Sequence, residues 1–194
     1  MSLLRCFLAV ELPTPLQDSI QFATAKVRSQ LGSELVRWVP TRNVHLTLKF
    51  LGDTSPSGVE LIQAALRAEV PQYRSFEVLM KGFGAFPSSR KPRVLWVGLV
   101  APASLASLQH ELDVATARLG YSSEERVFSP HLTIGRVRQS ISAAGLQQIR
   151  DGLQQTSIGE LGSFRVDSVH LYKSELQPAG SVYTKLFSAQ LAEA

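Results

Sequence analysis

Two short segments of the sequence carry the same pair of side chains that can take part in chemistry. They read His45-Leu46-Thr47-Leu48 and His131-Leu132-Thr133-Ile134. If each segment forms a β-strand, residues i and i+2 point to the same face, so each imidazole shares a face with a hydroxyl. The aliphatic side chains between them then point to the opposite face and can enter a core. Imidazoles exchange protons near neutral pH, and hydroxyls donate hydrogen bonds without carrying charge.

This set of groups suits the opening of a cyclic phosphodiester. The reaction needs one group to take a proton from an attacking water and another, on the opposite side of phosphorus, to give a proton to the leaving alkoxide. Two opposed histidines meet that need, and hydroxyls on rigid strands can hold the non-bridging oxygens while charge redistributes. The mechanism requires no metal ion. A zinc or iron site at His45 and His131 is an alternative, but the sequence offers no third ligand at a convincing spacing.

The elements that must position these segments recur in the same order in both halves of the sequence. In the first half, the patterns predict a strand over 3–12, a helix over 16–31, a strand over 44–51 and a helix over 57–70. In the second half, they predict a strand over 94–99, a helix from 102 to 119, a strand over 131–137 and a helix over 142–153. Further strands are expected over 76–83, 164–172 and 182–190.

This repetition indicates an internal duplication and predicts an α+β fold. We expect two duplicated lobes, each a mainly antiparallel sheet with helices packed outside it, related by pseudo-two-fold symmetry around a central cleft. The lobes span 1–88 and 89–194 of a single domain, and terminal strands can cross between them. The duplication places the two histidine and threonine pairs face to face in the cleft.

Composition is that of a folded globular protein. The chain has 194 residues, of which 44% are hydrophobic and 19% charged, and these values exclude disordered, collagen-like and coiled-coil classes. The net charge of +4 permits a phosphate-bearing ligand. The single cysteine, Cys6, lies in an apolar run and suits a reducing compartment. The sequence predicts neither a membrane-spanning run nor a cleavable leader, and we expect a cytoplasmic monomer.

The sequence around both motifs resembles the two-histidine (2H) phosphoesterases, and among them the RNA 2′,3′-cyclic phosphodiesterases, also called 2′-5′ RNA ligase-like proteins. The matching stretches, which span nearly the whole chain, are RCFLAVELP, VHLTLKFLGD, PRVLWVGL, FSPHLTIGRV and LYKSELQPAGSVYTKL. The resemblance implies an enzyme that hydrolyses the 2′,3′-cyclic ends of RNA to a 2′-phosphomonoester. It implies no metal ion and no cofactor, and its expected partners are RNA ends or cyclic nucleotides.

The resemblance also implies a role for each residue of the site. His45 is the proton donor, His131 the proton acceptor, and Thr47 and Thr133 the phosphate-binding hydroxyls. Arg136 matches an arginine that follows the second motif in the family and contacts phosphate. Strict alternation along the strand puts Arg136 on the face opposite His131, so its participation requires the strand to bend, for example at Gly135.

Several questions stay open at the level of sequence. By the same alternation Lys49 shares the face of His45, where it is either solvated or near the substrate. Phe86, Trp38 and Tyr172 are candidates to stack on a base, although large aromatic side chains more often belong to a core. A 2′-5′ RNA ligase or 2′-5′ phosphodiesterase activity and a non-catalytic RNA-end-binding module are the alternatives to cyclic phosphate hydrolysis. Turnover of a cyclic nucleotide in EDTA distinguishes the enzyme from the binding module.

Overall fold

The computed structural model describes residues 3–177 and 180–193, which form nine strands and four α-helices. The strands are β1 (Leu4–Glu11), β2 (Val36–Trp38), β3 (His45–Thr54), β4 (Phe76–Phe86), β5 (Val94–Val100), β6 (His131–Val137), β7 (Glu160–Val166), β8 (Ser168–Gln177) and β9 (Gly180–Gln190). The helices are α1 (Thr14–Leu35), α2 (Pro56–Glu69), α3 (Ala103–Arg118) and α4 (Ala143–Gln155). Two short 3-10 turns, Thr41–Asn43 and Val70–Gln72, complete the described elements.

The strands form one curved sheet in the order β7-β4-β5-β6-β3-β1-β8-β9, with β2 added beside β6. Every pair of these strands is antiparallel. The middle of the sheet is the junction of β3 and β6, which meet at a single residue pair, Leu46 with Leu132. Apart from β2, four strands therefore lie on each side of that junction, and each side contains one of the two histidine motifs.

The helices cover one face of the sheet and bury the core between them. Helix α1 packs against α4, and α2 packs against α3. Buried side chains from these helices join the same core cluster as Leu46 and Leu132. Ser55 and Ser142 accept hydrogen bonds from backbone N–H groups of the first turns of α2 and α4, which fixes where these helices begin. The predicted α+β class and the mainly antiparallel sheet are confirmed.

The end of the chain differs from the sequence prediction. The single strand expected over 164–172 is wrong, because the chain leaves β7 at Val166 and enters β8 at Ser168. The reason is the partner of each segment, since β7 pairs with β4 and β8 pairs with β1 on the other side of the sheet. The short strand β2 was also missed, because three residues carry too little periodicity to identify.

The order of the strands in the sheet does not follow the two halves of the sequence from which the lobes were predicted. β4 precedes residue 88 but lies with β5, β6 and β7, whereas β8 and β9 lie with β1 and β3. Each side of the sheet therefore combines strands from both halves of the sequence. The division into lobes at residue 88 stays a prediction.

A β-bulge in β3 places Lys49 inside the protein. Leu8 pairs with Lys49 and Ala9 pairs with Thr47, so Leu48 has no partner in β1 and the alternation of side chains shifts by one residue. Lys49 is consequently 1% exposed and forms a buried ion pair with Asp113 of α3. Lys49 also donates to the carbonyl of Ser122, and Asp113 accepts from the N–H of Glu124. Lys49 is therefore not solvated, and its side chain points into the protein and not to the exposed face.

This ion pair predicts a large effect on stability. Replacing Asp113 with alanine leaves the Lys49 ammonium buried without a counter-ion, and such a change costs about 3–5 kcal/mol. Burial opposes ionisation of Asp113, but the bonds from Lys49 and Glu124 outweigh it and hold the pKa of the carboxyl below its usual value. Urea denaturation of Asp113→Ala should show this loss.

The matched control for this stability measurement is the exposed ion pair of Lys81 with Glu160, whose side chains are 53% and 60% exposed. Because exposed pairs contribute only about 0–1 kcal/mol, Glu160→Ala should be nearly neutral. The double variant Lys49→Met/Asp113→Leu should lose less stability than Asp113→Ala alone, since it buries no unpaired charge. Equal losses for Asp113→Ala and Glu160→Ala would contradict the structural role of the buried pair.

Candidate active site

The two motif strands bring the predicted histidines and threonines together on the face of the sheet that the helices leave uncovered. Leu46 and Leu132 point into the core, with exposures of 1% and 0%. Because they pair in antiparallel sense, their neighbours place His45 opposite Thr133 and Thr47 opposite His131. By this register the two imidazoles lie diagonally across the junction from each other, and so do the two hydroxyls.

Both imidazoles are oriented in the same way by the backbone. Nδ1 of His45 lies 2.8 Å from the carbonyl oxygen of Asn43, and Nδ1 of His131 lies 2.8 Å from that of Ser129. A carbonyl oxygen only accepts hydrogen bonds, so each Nδ1 carries a hydrogen and donates it. This leaves Nε2 of each ring as the atom that can exchange a proton with a substrate.

The strands that flank the motifs pair with them in equivalent registers. In one half Ala9 lies opposite Thr47 and Glu11 opposite His45, and in the other half Trp96 lies opposite Thr133 and Gly98 opposite His131. The backbone pairing around the two histidines is therefore equivalent, whereas the side chains at the paired positions differ.

A second bulge brings Arg136 to the face that carries the histidines. Trp96 pairs with Thr133 and Leu95 pairs with Gly135, so Ile134 has no partner in β5 and the alternation shifts. Arg136 is exposed, as expected for the uncovered face. Close packing next to the bulge requires a glycine, because a Cβ at Gly135 would lie 2.7 Å from Val36 Cγ1.

The bulge in β3 has the same consequence for Phe50. This residue follows its histidine by the same interval as Arg136 follows His131, and it is 60% exposed. Its ring lies 6.3 Å from that of Phe7, which stacks on His45 at 4.8 Å. Sequence reasoning missed Phe50, although its position after the motif, matching that of Arg136, was a usable signal.

Aromatic side chains pack against His45 and make the two halves of the site unequal. The hairpin formed by β8 and β9 reaches this histidine, and Tyr183 contacts the His45 ring edge-on at 5.2 Å and the Phe7 ring at 5.1 Å. The Asn43 side-chain amide donates to the carbonyl of Ser181 and ties the hairpin to the loop before β3. His45 is thus enclosed by Phe7 and Tyr183. Tyr183 was not predicted from the sequence, because its contact depends on how the hairpin bends.

The enclosure changes the acidity of His45. Burial lowers the pKa of its imidazole, the hydrogen bond to the Asn43 carbonyl raises it, and the positive charge of Arg136 lowers it. The net result is a pKa below the ordinary histidine value.

The three aromatic candidates occupy different places. Phe86 meets the His131 ring edge-on at 4.9 Å and lines a pocket beside it. Tyr172 is on the face of the site but is buried, with its ring stacked on Phe7 and its hydroxyl donating to Glu11. Trp38 is not brought to the site, because its indole N–H donates to the Gly32 carbonyl in α1 and Arg28 stacks on its ring.

Across residues 3–177 and 180–193, no three His, Cys, Asp or Glu side chains are placed to hold a metal ion together. None of the helices within these ranges is long and apolar enough to span a membrane. Cys6 is buried, as its apolar surroundings predicted.

Comparison with known sequences gives matches along most of the chain. The profile of the 2′-5′ RNA ligase superfamily matches residues 13–178. An RNA 2′,3′-cyclic phosphodiesterase of Methanothermobacter thermautotrophicus is 36% identical over 182 residues, which cover 94% of this chain and 96% of the relative. Another, from Thermotoga maritima, is 34% identical over 153 residues, which cover 79% of this chain and 78% of the relative.

Solved structures share the fold over almost their full length. Escherichia coli LigT in complex with 3′-AMP superimposes with a TM-score of 0.78 at 27% identity, covering 98% of this chain and 99% of that one. A protein from Thermus thermophilus gives a TM-score of 0.80 at 26% identity, covering 97% of this chain and 98% of that one. Similarity to these proteins therefore extends over most of the chain in both sequence and structure.

Proposed function

This chain belongs to the 2′-5′ RNA ligase superfamily, and on that premise we propose that it hydrolyses the 2′,3′-cyclic phosphodiester ends of RNA. The membership confirms the resemblance stated from the sequence, and the chain is an enzyme of the phosphodiesterase class. The assignment of this activity to the two motifs rests on one observation. Two His-Thr pairs face one another across the junction of β3 and β6. Each imidazole has its Nδ1 bonded to a backbone carbonyl, and its Nε2 has no hydrogen-bond partner among residues 3–177 and 180–193.

The phosphate lies between the four motif side chains. Thr47 and Thr133 hold the non-bridging oxygens with hydroxyl hydrogen bonds from the two sides of the junction. Arg136, turned to this face by its bulge, adds a positive charge to which the phosphate oxygens can bond. These contacts keep phosphorus between the two imidazoles.

Hydrolysis then needs one proton transfer at each end of the in-line displacement. Nε2 of His131 accepts a proton from the attacking water as its oxygen bonds to phosphorus. Nε2 of His45 donates a proton to the ribose 3′ oxygen as the bond from phosphorus to that oxygen breaks. The product is a 2′-phosphomonoester with a free 3′-hydroxyl. The chain's own residues supply both transfers and need no metal ion.

Binding of the substrate should raise the low pKa of His45, so that this histidine can act as an acid. A general acid must be protonated at the start, whereas the enclosed His45 of the free enzyme loses its proton easily. The cyclic phosphate brings a negative charge beside the ring and also pairs with Arg136. Both effects raise the pKa of His45 in the complex, because a nearby anion favours the charged imidazole and a neutralised arginine no longer opposes it.

The proposed activity is tested by incubating an RNA oligonucleotide that ends in a 2′,3′-cyclic phosphate with the protein in EDTA. Chromatography against authentic 2′-phosphate and 3′-phosphate standards identifies the product. The expected product is the 2′-phosphate. A 3′-phosphate would overturn the roles of the two histidines, and an uncleaved cyclic end would overturn the activity.

Arg136 predicts a change in the titration of His45. Arg136→Met removes a positive charge that lowers the pKa of this imidazole, so the pKa of His45 in the free enzyme should rise. KM should rise about tenfold or more, because a charged hydrogen bond to phosphate is lost. The measurements are an NMR titration of the His45 ring and steady-state kinetics with a cyclic mononucleotide.

The matched control for this titration is Arg138→Met. Arg138 lies two residues further along the chain, and its guanidinium donates to the Ser33 carbonyl. Its replacement should leave the pKa of His45 and KM unchanged. An unchanged pKa of His45 in Arg136→Met would contradict the proposed effect of this arginine.

Phe50 is proposed to stack on the base of the terminal nucleotide. Because stacking on an aromatic side chain contributes about 1–3 kcal/mol per base, Phe50→Ala should raise KM by about fivefold to 100-fold. Phe22→Ala is the control, since Phe22 is 88% exposed on α1. The comparison uses hydrolysis of a cyclic mononucleotide, and an unchanged KM for Phe50→Ala would exclude the stacking role.

A further inference from the structure

Two arginines lie directly opposite each other on the uncovered face of the sheet. Arg37, in the middle of β2, pairs with Arg136 of β6. Its neighbours in the strand belong to the covered face, since Val36 is 0% exposed and the indole of Trp38 donates to a carbonyl of α1. Alternation along the strand therefore turns Arg37 to the uncovered face, where it is exposed like Arg136.

The protein supplies no counter-ion for this pair. Like charges directly opposite each other on neighbouring strands destabilise a sheet. Within residues 3–177 and 180–193, neither Arg37 nor Arg136 forms an ion pair with an aspartate or a glutamate. Two adjacent guanidinium groups on the face of the proposed site therefore attract anions. The proposed mechanism uses only one of them, Arg136, for the cyclic phosphate.

The position of Arg37 relative to the first motif follows from the pairing of β6. Strand β3 pairs with the start of β6 and β2 pairs with its end, so β2 continues the line of β3 across the sheet. Along this line Arg37 lies on one side of His45, and Phe50 lies on the other. On β6, about 13 Å of strand separates Leu132, at the junction, from Arg136. The long side chain of Arg37 thus stands beside the phosphate site, away from the proposed place of the base.

The covalent structure of the substrate gives this placement a meaning. In a nucleoside 2′,3′-cyclic phosphate, the base is attached to C1′, next to C2′, whereas the 5′ carbon is attached to C4′, next to C3′. The base and the 5′ end therefore leave the ribose in opposite directions. If the base stacks on Phe50 and the 3′ oxygen faces His45, the 5′ end extends towards Arg37.

We infer that Arg37 binds the phosphate on the 5′ side of the terminal nucleotide, which in RNA is the last internucleotide phosphodiester. A guanidinium suits this group, because its N–H donors can bond two non-bridging oxygens at once. Each arginine of the pair then faces its own phosphate, which relieves their mutual repulsion. The inference rests on the proposed function, with the base on Phe50. It makes the end of an RNA strand a better substrate than a cyclic mononucleotide that has a free 5′-hydroxyl.

The experiment compares two substrates that differ by one phosphate, adenosine 2′,3′-cyclic phosphate and its 5′-phosphorylated form. The wild-type protein should show a kcat/KM about tenfold higher for the phosphorylated substrate, as expected for a charged hydrogen bond. In Arg37→Met the ratio of the two kcat/KM values should fall close to one. Arg37→Lys, which keeps the charge but loses the paired donors, should give an intermediate ratio.

The matched control is Arg165→Met. Arg165 is an exposed arginine of β7, at one edge of the sheet, and its guanidinium donates to the Ser75 hydroxyl. Its replacement should leave the substrate ratio at the wild-type value. Circular dichroism establishes that the variants are folded.

Salt dependence supplies a second readout on a dinucleotide that ends in a 2′,3′-cyclic phosphate. Each phosphate contact to a single strand contributes about 0.7 to the slope of log affinity against log salt concentration. The slope measured from KM should therefore fall by about 0.7 in Arg37→Met and stay unchanged in Arg165→Met.

Two results would overturn the inference. The wild-type protein could hydrolyse both adenosine substrates with the same kcat/KM, or Arg37→Met could keep the wild-type ratio. An equal loss on both substrates in Arg37→Met keeps that ratio and would assign Arg37 to the cyclic phosphate instead. Hydrolysis by the wild-type protein together with any of these results leaves the proposed function standing. Absence of hydrolysis of both substrates by the wild-type protein contradicts the proposed function itself.

Discussion

Replacing His131 with alanine is expected to lower kcat for the hydrolysis of a 2′,3′-cyclic phosphate by about 10²–10⁴, the usual contribution of a general base. The variant loses the Nε2 that takes the proton from water, while the phosphate keeps Thr47, Thr133 and Arg136. KM should therefore change much less than kcat. Steady-state kinetics on a cyclic mononucleotide measures both parameters.

His110→Ala is the control for this substitution, because His110 is an exposed histidine of α3. It should retain the turnover of the wild-type protein. Circular dichroism establishes that both variants are folded. A folded His131→Ala protein that keeps the wild-type kcat would show that the second motif does not supply the base.

Replacing His45 with alanine should cause a similar loss on the cyclic substrate, because the leaving 3′ oxygen is then not protonated. A second substrate separates the two roles. In a nucleoside 2′-(4-nitrophenyl phosphate), the 3′-hydroxyl attacks phosphorus and 4-nitrophenolate departs without needing a proton. By microscopic reversibility His45 is the base for this cyclisation and His131 faces the departing group. His131→Ala should therefore retain most of its activity on this ester, whereas His45→Ala should not.

The reverse pattern on the ester would exchange the assignments of the two histidines. Release of 4-nitrophenolate is followed by its absorbance, and the cyclic product is verified by chromatography. Equal activity of both variants on the ester would contradict any pairing of one histidine with one side of phosphorus.

Sequence alone was enough to place the histidines and threonines on one face, because that inference needs only the alternation of side chains along a strand. Leu46 and Leu132 reinforced it, since a buried apolar neighbour fixes which face is which. The placements of Lys49, Phe50 and Arg136 could not be obtained in this way. Each follows a bulge that depends on the pairing partner, Leu8 to Ala9 for β3 and Leu95 to Trp96 for β6.

Contacts between distant parts of the chain were also beyond sequence reasoning. Tyr183 packs against His45 because the hairpin of β8 and β9 reaches the first motif, although its residues are far from that motif in the sequence. Likewise, Asp167 separates β7 from β8 because their partners lie on opposite sides of the sheet. The apolar pattern runs through this point without a break, so periodicity predicts one strand there. The asymmetry between the two histidines is therefore a tertiary property.

In the proposed mechanism two opposed histidines open the cyclic phosphate without a metal ion. The most direct measurement is phosphorus NMR of a cyclic-phosphate-terminated RNA mixed with chelator-treated protein. The cyclic resonance is expected to convert to a single 2′-monoester resonance in EDTA, and the double variant His45→Ala/His131→Ala is expected to leave it unchanged. A resonance that is consumed only after a divalent metal ion is added, or that the double variant consumes as fast as the wild-type protein, would contradict this mechanism.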